Sequence, residues 1–231
     1  MRIFISYQTA DGAIASRLQR SLRTYGIDSF LAHEDIGVSE VWRNRILDEL
    51  HNSDACVCLF SVNYITSVWC IQEAGIAAFH RVMTPIPLML DDTVPTGFLG
   101  AIQAKRCNPN FISITDVLPA ILRSNRAEGI GITISLIESS GSYRGAEINY
   151  EILMPYYEML TNEQALRLLT VTLNNDQVLH AGRCASEFTP RILRRYGYLL
   201  SIEQSQELVD TCNRYGSDIM MDQLTGVGLT N

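Results

Sequence analysis

Apolar residues along the first half of the chain switch between a run-like and a helical spacing. Ile3 to Tyr7 is a short apolar run that predicts a strand at the N-terminus. Asp11 stands where a helix would begin, and Ile14, Ala15, Leu18 and Leu22 then recur at helical spacing up to Tyr25-Gly26, where the glycine is a natural stop. Ile27 to Leu31 reads as a second strand. A polar, acidic loop follows, His33-Glu34-Asp35-Ile36-Gly37, and Ser39 is placed to cap a helix that carries Val41, Trp42, Ile46 and Leu50 on one broad face. Ala55 to Phe60 is nearly all apolar, a density that suits a central parallel strand buried on both faces.

From Ser67 a further helix carries Trp69, Ile71, Ala74, Ile76, Ala77 and Ala78. Pro85 to Leu90 gives a fourth strand with Pro85 at its start, where a missing N–H is tolerated. A loop with Asp91, Asp92, Pro95 and Gly97 comes next. Ala101 to Arg106 and Phe111 to Ile114 leave room for a short fifth strand, and Asp116 is placed to cap a last helix through Leu122. Alternation of this kind predicts an α/β fold with a flavodoxin-like, doubly wound, five-stranded parallel sheet. Ligands of such sheets bind beyond the carboxyl ends of the strands. That gathers Ser6, Tyr7, the loop from His33 to Gly37 and the Ser61 to Trp69 segment around one crevice.

The pattern changes after Ser124. Residues 125–145 hold Gly129, Gly131, Gly141 and Gly145 around an apolar Ile132 to Ile137 run, which reads as a linker carrying one strand. Residues 146–231 predict a small, mainly helical domain. It holds a weak repeat at an offset of 40 residues, pairing Tyr156 with Tyr196, Leu160 with Leu200, Glu163 with Glu203, Gln164 with Gln204 and Leu168 with Leu208. Thr161 with Gln164 and Ser201 with Gln204 both have capping-box spacing. Two related helical units, or generic helix-start chemistry met twice, account equally for these matches.

Composition supports two domains. The 231 residues exceed the about 130 of one compact domain of this kind, and 47% hydrophobic against 19% charged residues is enough to build a core. Net charge is −7, with ten basic against twelve acidic residues up to Ser124 and eight against thirteen after it. Neither part offers the clustered positive field that nucleic acid requires. Arg191, Arg194 and Arg195 share roughly one helical face and read as solvated or paired with nearby carboxylates. The six cysteines lack framework spacing, so reduced thiols are expected, and Cys56 and Cys58, two apart in a strand, read as small core residues. No window approaches about 18 uninterrupted apolar residues, so a soluble, cytoplasmic protein with no membrane partner is expected. His33, His51, His80 and His180 show no metal-ligand pair on one helix, and Ser6 and Ser61 have no histidine in sequence reach for a hydrolase triad. No metal is expected.

Chemistry concentrates in Trp69-Cys-Ile-Gln-Glu73, where a spacing of four puts an indole and a carboxylate on one helical face near the crevice mouth. An aromatic plane beside an acid suits a ribosylated, stackable ring. Cleaving a glycosidic bond to a cationic nicotinamide passes through an oxocarbenium-like state that a carboxylate stabilises, and the leaving group departs neutral, so a second carboxyl acid is not obligatory.

With Phe4-Ile-Ser-Tyr7 as first strand, Asp35-Ile-Gly37 as BB loop and Trp69 to Glu73 after the third strand, residues 1–124 resemble a TIR (Toll/interleukin-1 receptor) domain of the NAD-consuming type. The resemblance implies NAD as substrate rather than cofactor, Glu73 as catalytic residue and Trp69 as a surface near the nicotinamide. It further implies that Phe4, Ser6, Tyr7, Asp35 and Gly37 line or gate the pocket. Bacterial members of this type act in immunity against phage, depleting NAD or making a cyclic ADP-ribose isomer, and activity in the family commonly depends on TIR domains assembling. The acidic Glu34-Asp35 pair brings little positive charge to a pyrophosphate, which leaves Arg43 or Arg45, or a neighbouring subunit, to supply it. A non-catalytic TIR adaptor acting by assembly is the competing class, and hydrolysis and cyclisation stay open within the enzyme reading. The helical domain is read as setting the assembly state, with an effector or sensor protein as a further partner; Tyr150, Tyr156, Tyr157, Tyr196 and Tyr198 serve either an interface or helical packing there.

Overall fold

In the computed structural model, which describes residues 1–32 and 42–224, five runs form one sheet. These are β1 (Arg2–Ser6), β2 (Asp28–Leu31), β3 (Ala55–Phe60), β4 (Thr84–Met89) and β5 (Lys105–Arg106). Their order is β2-β1-β3-β4-β5 and every neighbouring pair is parallel. All six residues of β3 are buried, as its unbroken apolar composition requires of a central strand with both faces covered. The crossovers run through helices α1 (Gly12–Thr24), α2 (Trp42–His51), α3 (Val68–Phe79) and, after β5, α4 (Ile114–Ser124). Phe4, Phe30, Cys56, Cys58 and Phe60, alternate residues of three strands, turn to the layer of α2 and α3 and pack with Ile46, Leu50, Cys70, Ala74 and Ala77.

Local chemistry explains most boundaries. Gly26, at φ 75°, ends α1 in the left-handed conformation that glycine adopts without steric cost. Ser67 caps α3, accepting the Cys70 N–H at 3.3 Å. Prolines stand second and fourth in β4, not only at its start. Thr84 and Leu90 donate their N–H groups toward the β3 side, so Pro85 and Pro87 face the other way, where β5 pairs only with Leu88 and Met89. Two end assignments differ from the sequence reading. Asp11 makes no capping bond to α1, and the last helix begins after Ser113, with Asp116 one turn in, accepting the Ser113 N–H at 3.0 Å. Ser39 and Val41 lie outside the described residues.

The chain divides into two units, Met1–Arg126 and Ala127–Asn231. The expected linker strand is a helix: α5 (Arg126–Glu138) contains the whole Ile132 to Ile137 run. Ile130, Ile132, Thr133, Ile134, Leu136 and Ile137 are buried around most of its circumference, and a helix buried all round shows the same short apolar run as a strand. α6 (Tyr143–Leu153), α7 (Asn162–Asn174), α8 (Asp176–Leu179), a π turn at Cys184–Phe188, α9 (Thr189–Tyr196) and α10 (Ile202–Arg214) follow.

Both capping boxes form. Thr161 and Ser201 each accept the N–H of the glutamine three residues on at 3.2 Å, and each glutamine side chain accepts the cap residue's N–H at 3.1 Å. The helices they start are both 13 residues long. Ala165, Leu168, Leu169, Val171 and Thr172 are buried in the first, and Ser205, Leu208, Val209, Thr211 and Cys212 in the second, five equivalent positions. Two amphipathic helices that start on the same capping box and pack on one face share these buried positions, so related units and generic helix-start chemistry account for them equally. The basic residues of this region are engaged: Arg191 pairs with Glu187, while Arg194 and Arg195 reach the carbonyls of Asp218 and Glu158. Tyr150 and Tyr196 are buried packing residues, whereas Tyr198 is exposed.

Candidate functional site

The carboxyl ends of β1 and β3 carry the polar residues of the first unit's crevice. Ser61, just past β3, donates to Asp11 Oδ2 at 2.6 Å, and Asn63 Nδ2 donates to Asp11 Oδ1 at 3.3 Å. Ser61 Oγ also accepts the Tyr64 N–H at 3.0 Å, and the Val62 N–H goes to Asp91 Oδ2 at 3.0 Å. These bonds fix the turn at Tyr64–Thr66 and set the Tyr64 ring 4.6 Å from that of Phe60. The tyrosine hydroxyl is thereby brought 2.9 Å from Ser6 Oγ at the end of β1, and it donates to the Cys70 carbonyl at 3.0 Å.

Helix α3 completes the site. Its inward stripe is Cys70, Glu73, Ala74 and Ala77, so an acid occupies a position whose neighbours are core residues. Glu73 is 1% exposed. Ser6 donates to its Oε2 at 2.5 Å, while its Oε1 is buried with no hydrogen-bond partner among the described residues. Burial lifts the carboxyl from its ordinary 4.5 to about 7, against the opposing effect of the Ser6 hydrogen bond. Burial likewise pushes the Cys70 thiol up to about 12, so it is a neutral neighbour, and all six cysteines are buried free thiols.

The residues singled out in the sequence divide into groups. Ser6 and Glu73 are in direct contact. Trp69 is half-buried in the first turn of α3, four residues before the acid, and Tyr7 is buried just beyond β1. Phe4 lies deeper on the strand, its ring 5.5 Å from that of Phe30 within the core. Arg43 is exposed on α2, and Arg45 is committed to Glu49 at 2.9 Å. Asp35 and Gly37 lie outside the described residues. Tyr64 and Asp11 are members that sequence reasoning missed: the first sits in a segment assigned to the crevice but given no role, and the second was read as a helix start.

A cleft of about 240 Å³ lies beside the site, between Ile71 and Gly75 of α3 and Gly97, Phe98 and Leu99 of the turn after β4. Its lining holds no ionisable side chain, so it offers shape without acid–base chemistry. His51 and His80 meet edge to face at 5.7 Å, yet no group of three or more metal-ligating side chains exists among the described residues. No helix among them is long and apolar enough to cross a membrane.

Residues 3–112 match the family model of the TIR domain. The chain is similar in structure to the TIR domain of a Toll-related receptor from the lower metazoan Hydra magnipapillata, with 20% identity, 55% of this chain and 96% of the other covered, and a TM-score of 0.43. No curated protein matches it. With its parallel sheet in the order β2-β1-β3-β4-β5 and helices in the crossovers, the first unit of this chain is a TIR domain.

Proposed function

We propose that the TIR unit cleaves NAD between nicotinamide and ribose, with Glu73 as the catalytic residue. One observation carries the reading: a fully buried carboxyl has no ion-pair partner among the described residues and one oxygen unpartnered, at the carboxyl edge of the sheet. Acids kept for structure alone are normally paired or fully hydrogen-bonded when buried. A carboxyl that tolerates such a site at a ligand-binding edge is a functional candidate.

Ionised, Glu73 stabilises the ribosyl cation as the bond to nicotinamide breaks, and Trp69 offers a plane for the departing ring. Ser6 holds the carboxyl from the end of β1. Glu73 is 1% exposed, so substrate access requires the side chains that cover it to move. Nicotinamide is one product, and ADP-ribose or a cyclic isomer is the other. The setting that accompanies the TIR resemblance is immune signalling against phage, with TIR self-association completing the active state.

Incubating the purified protein with NAD, and resolving nicotinamide, ADP-ribose and cyclic isomers chromatographically, tests this. The wild type is expected to release nicotinamide and Glu73→Ala to lose at least about 100-fold in rate, the usual cost of removing one transition-state stabiliser. Undiminished turnover by Glu73→Ala ends the proposal.

A second reading, a scaffold acting by TIR–TIR assembly, is favoured by one feature. Val68 at 69% and Phe98 at 81% exposure, with Ile65 and Ile71, leave apolar side chains in water around the start of α3. On that reading, assembly in solution survives Glu73→Ala and no nicotinamide appears with either protein.

A further inference from the structure

Three contacts link four groups at the bottom of the site: Glu73 Oε2 to Ser6 Oγ at 2.5 Å, Ser6 Oγ to Tyr64 Oη at 2.9 Å, and Tyr64 Oη to the Cys70 carbonyl at 3.0 Å. Each hydroxyl has one proton to give. With an ionised carboxylate, two protons serve three contacts, and either the Ser6–Tyr64 or the Tyr64–Cys70 pair is left as two oxygens with no hydrogen between them. With a protonated carboxyl the count closes. In that state the Ser6–Glu73 bond runs opposite to the one an ionised carboxylate accepts: Glu73 donates to Ser6, Ser6 to Tyr64, and Tyr64 to the Cys70 carbonyl.

We propose that Glu73 is held as a neutral acid in its buried position by that directed chain of hydrogen bonds, and that Tyr64 is the positioning residue that sets its charge. An Oε1 with no partner among the described residues fits the same state, because an uncharged carbonyl oxygen costs far less to bury than an anionic one. Among the described residues, the surroundings add no counter-charge. β3 presents the thiols of Cys56 and Cys58, and α3 itself presents Cys70, all buried. Tyr7 is buried beyond β1, and Asp11 is engaged by Ser61 and Asn63. β4 and the turn at Gly97–Ala101 have no titratable side chain. On α2, Arg43, Arg45, Asp48 and His51 are exposed, and Glu49 is paired with Arg2 and Arg45.

The consequence for turnover rests on the NAD-cleaving reading; the protonation does not. A neutral acid gives a ribosyl cation little electrostatic support, so the site is latent until the proton leaves to solvent. Tyr64→Phe removes the acceptor of the Ser6 proton and frees that proton for the carboxylate. The ionised form then becomes the one with its bonds satisfied, and the titration of Glu73 moves down by about one pH unit, the worth of one neutral hydrogen bond.

Infrared difference spectra of the full chain against Glu73→Gln test this directly. At pH 6 the wild type should show the carbonyl stretch of a protonated carboxylic acid, disappearing with a midpoint near 7. In Tyr64→Phe the midpoint should fall by about one unit, and nicotinamide release at pH 6 should rise several-fold relative to that at pH 8. Absence of the acid band from the wild type at pH 6 overturns the proposal without any need for Tyr64→Phe to fold, and so does an unmoved midpoint in that variant. If the band behaves as expected and no nicotinamide is released, the NAD-cleaving reading fails while the hydrogen-bond chain stands.

Discussion

Burying Glu73 with no counter-ion among the described residues makes the stability of the TIR unit depend on pH. Its carboxyl titrates at about 7 in the folded chain against an ordinary 4.5. Below the ordinary value the group is neutral in both states and its burial costs no ionisation. As pH rises, the unfolded chain releases the proton first, so the folded state loses stability progressively until the folded group ionises too near 7. The loss amounts to about 3 kcal/mol across that window. Glu73→Gln keeps the shape and removes the titration. Its melting temperature is expected to exceed that of the wild type at pH 8, with the advantage shrinking toward pH 4.5, as followed by circular dichroism. An advantage of equal size at both ends would show that Glu73 is not the titrating group. The sequence placed the acid in the crevice through its spacing from Trp69. That it stands in the core stripe with Cys70, Ala74 and Ala77 was also readable there, at three- and four-residue intervals.

At the scale of elements, three helix starts at serine and threonine were legible, whereas those expected at Asp11 and Asp116 were not. Ser67, Thr161 and Ser201 each accept a backbone N–H from the first turn of the helix they begin. Substituting any one by alanine is expected to cost about 1 kcal/mol in urea denaturation. Because Thr161 and Ser201 sit in matching capping boxes, their costs should agree within a few tenths of a kcal/mol. A silent Ser201→Ala beside a costly Thr161→Ala would remove the case for two equivalent units. Where element reading failed, a tertiary partner had taken over a local role. Asp11 has the residue type of a helix cap, but Ser61 and Asn63 claim its carboxylate from across the sheet edge. The Ile132 to Ile137 run has strand composition, but its neighbours bury it on several sides at once, which a helix allows.

For the molecule as a whole, the candidate machinery lies within one unit. The five strands, the helices between them and the Ser6–Tyr64–Glu73 contacts fall inside Met1–Arg126. A polypeptide ending at Arg126 is therefore expected to unfold cooperatively in urea and to keep the Glu73 titration near 7. A chain of that length without a cooperative transition would mean that the TIR unit depends on the helical one to fold.

Periodicity is a property of neighbouring residues, and it carried the architecture: alternating runs and amphipathic stretches required a parallel sheet with helical crossovers, and the crevice at its carboxyl edge followed. The 40-residue repeat was equally local, since matching caps and apolar positions recur within each unit. Tertiary structure alone decided which polar atoms meet. Ser6 lies 58 residues from Tyr64 and 67 from Glu73, so their contacts depend on strand register and on how α3 returns to the sheet. Hydrogen-bond direction, and with it the charge of the buried acid, is fixed only when those distant groups have been brought within 3 Å of one another.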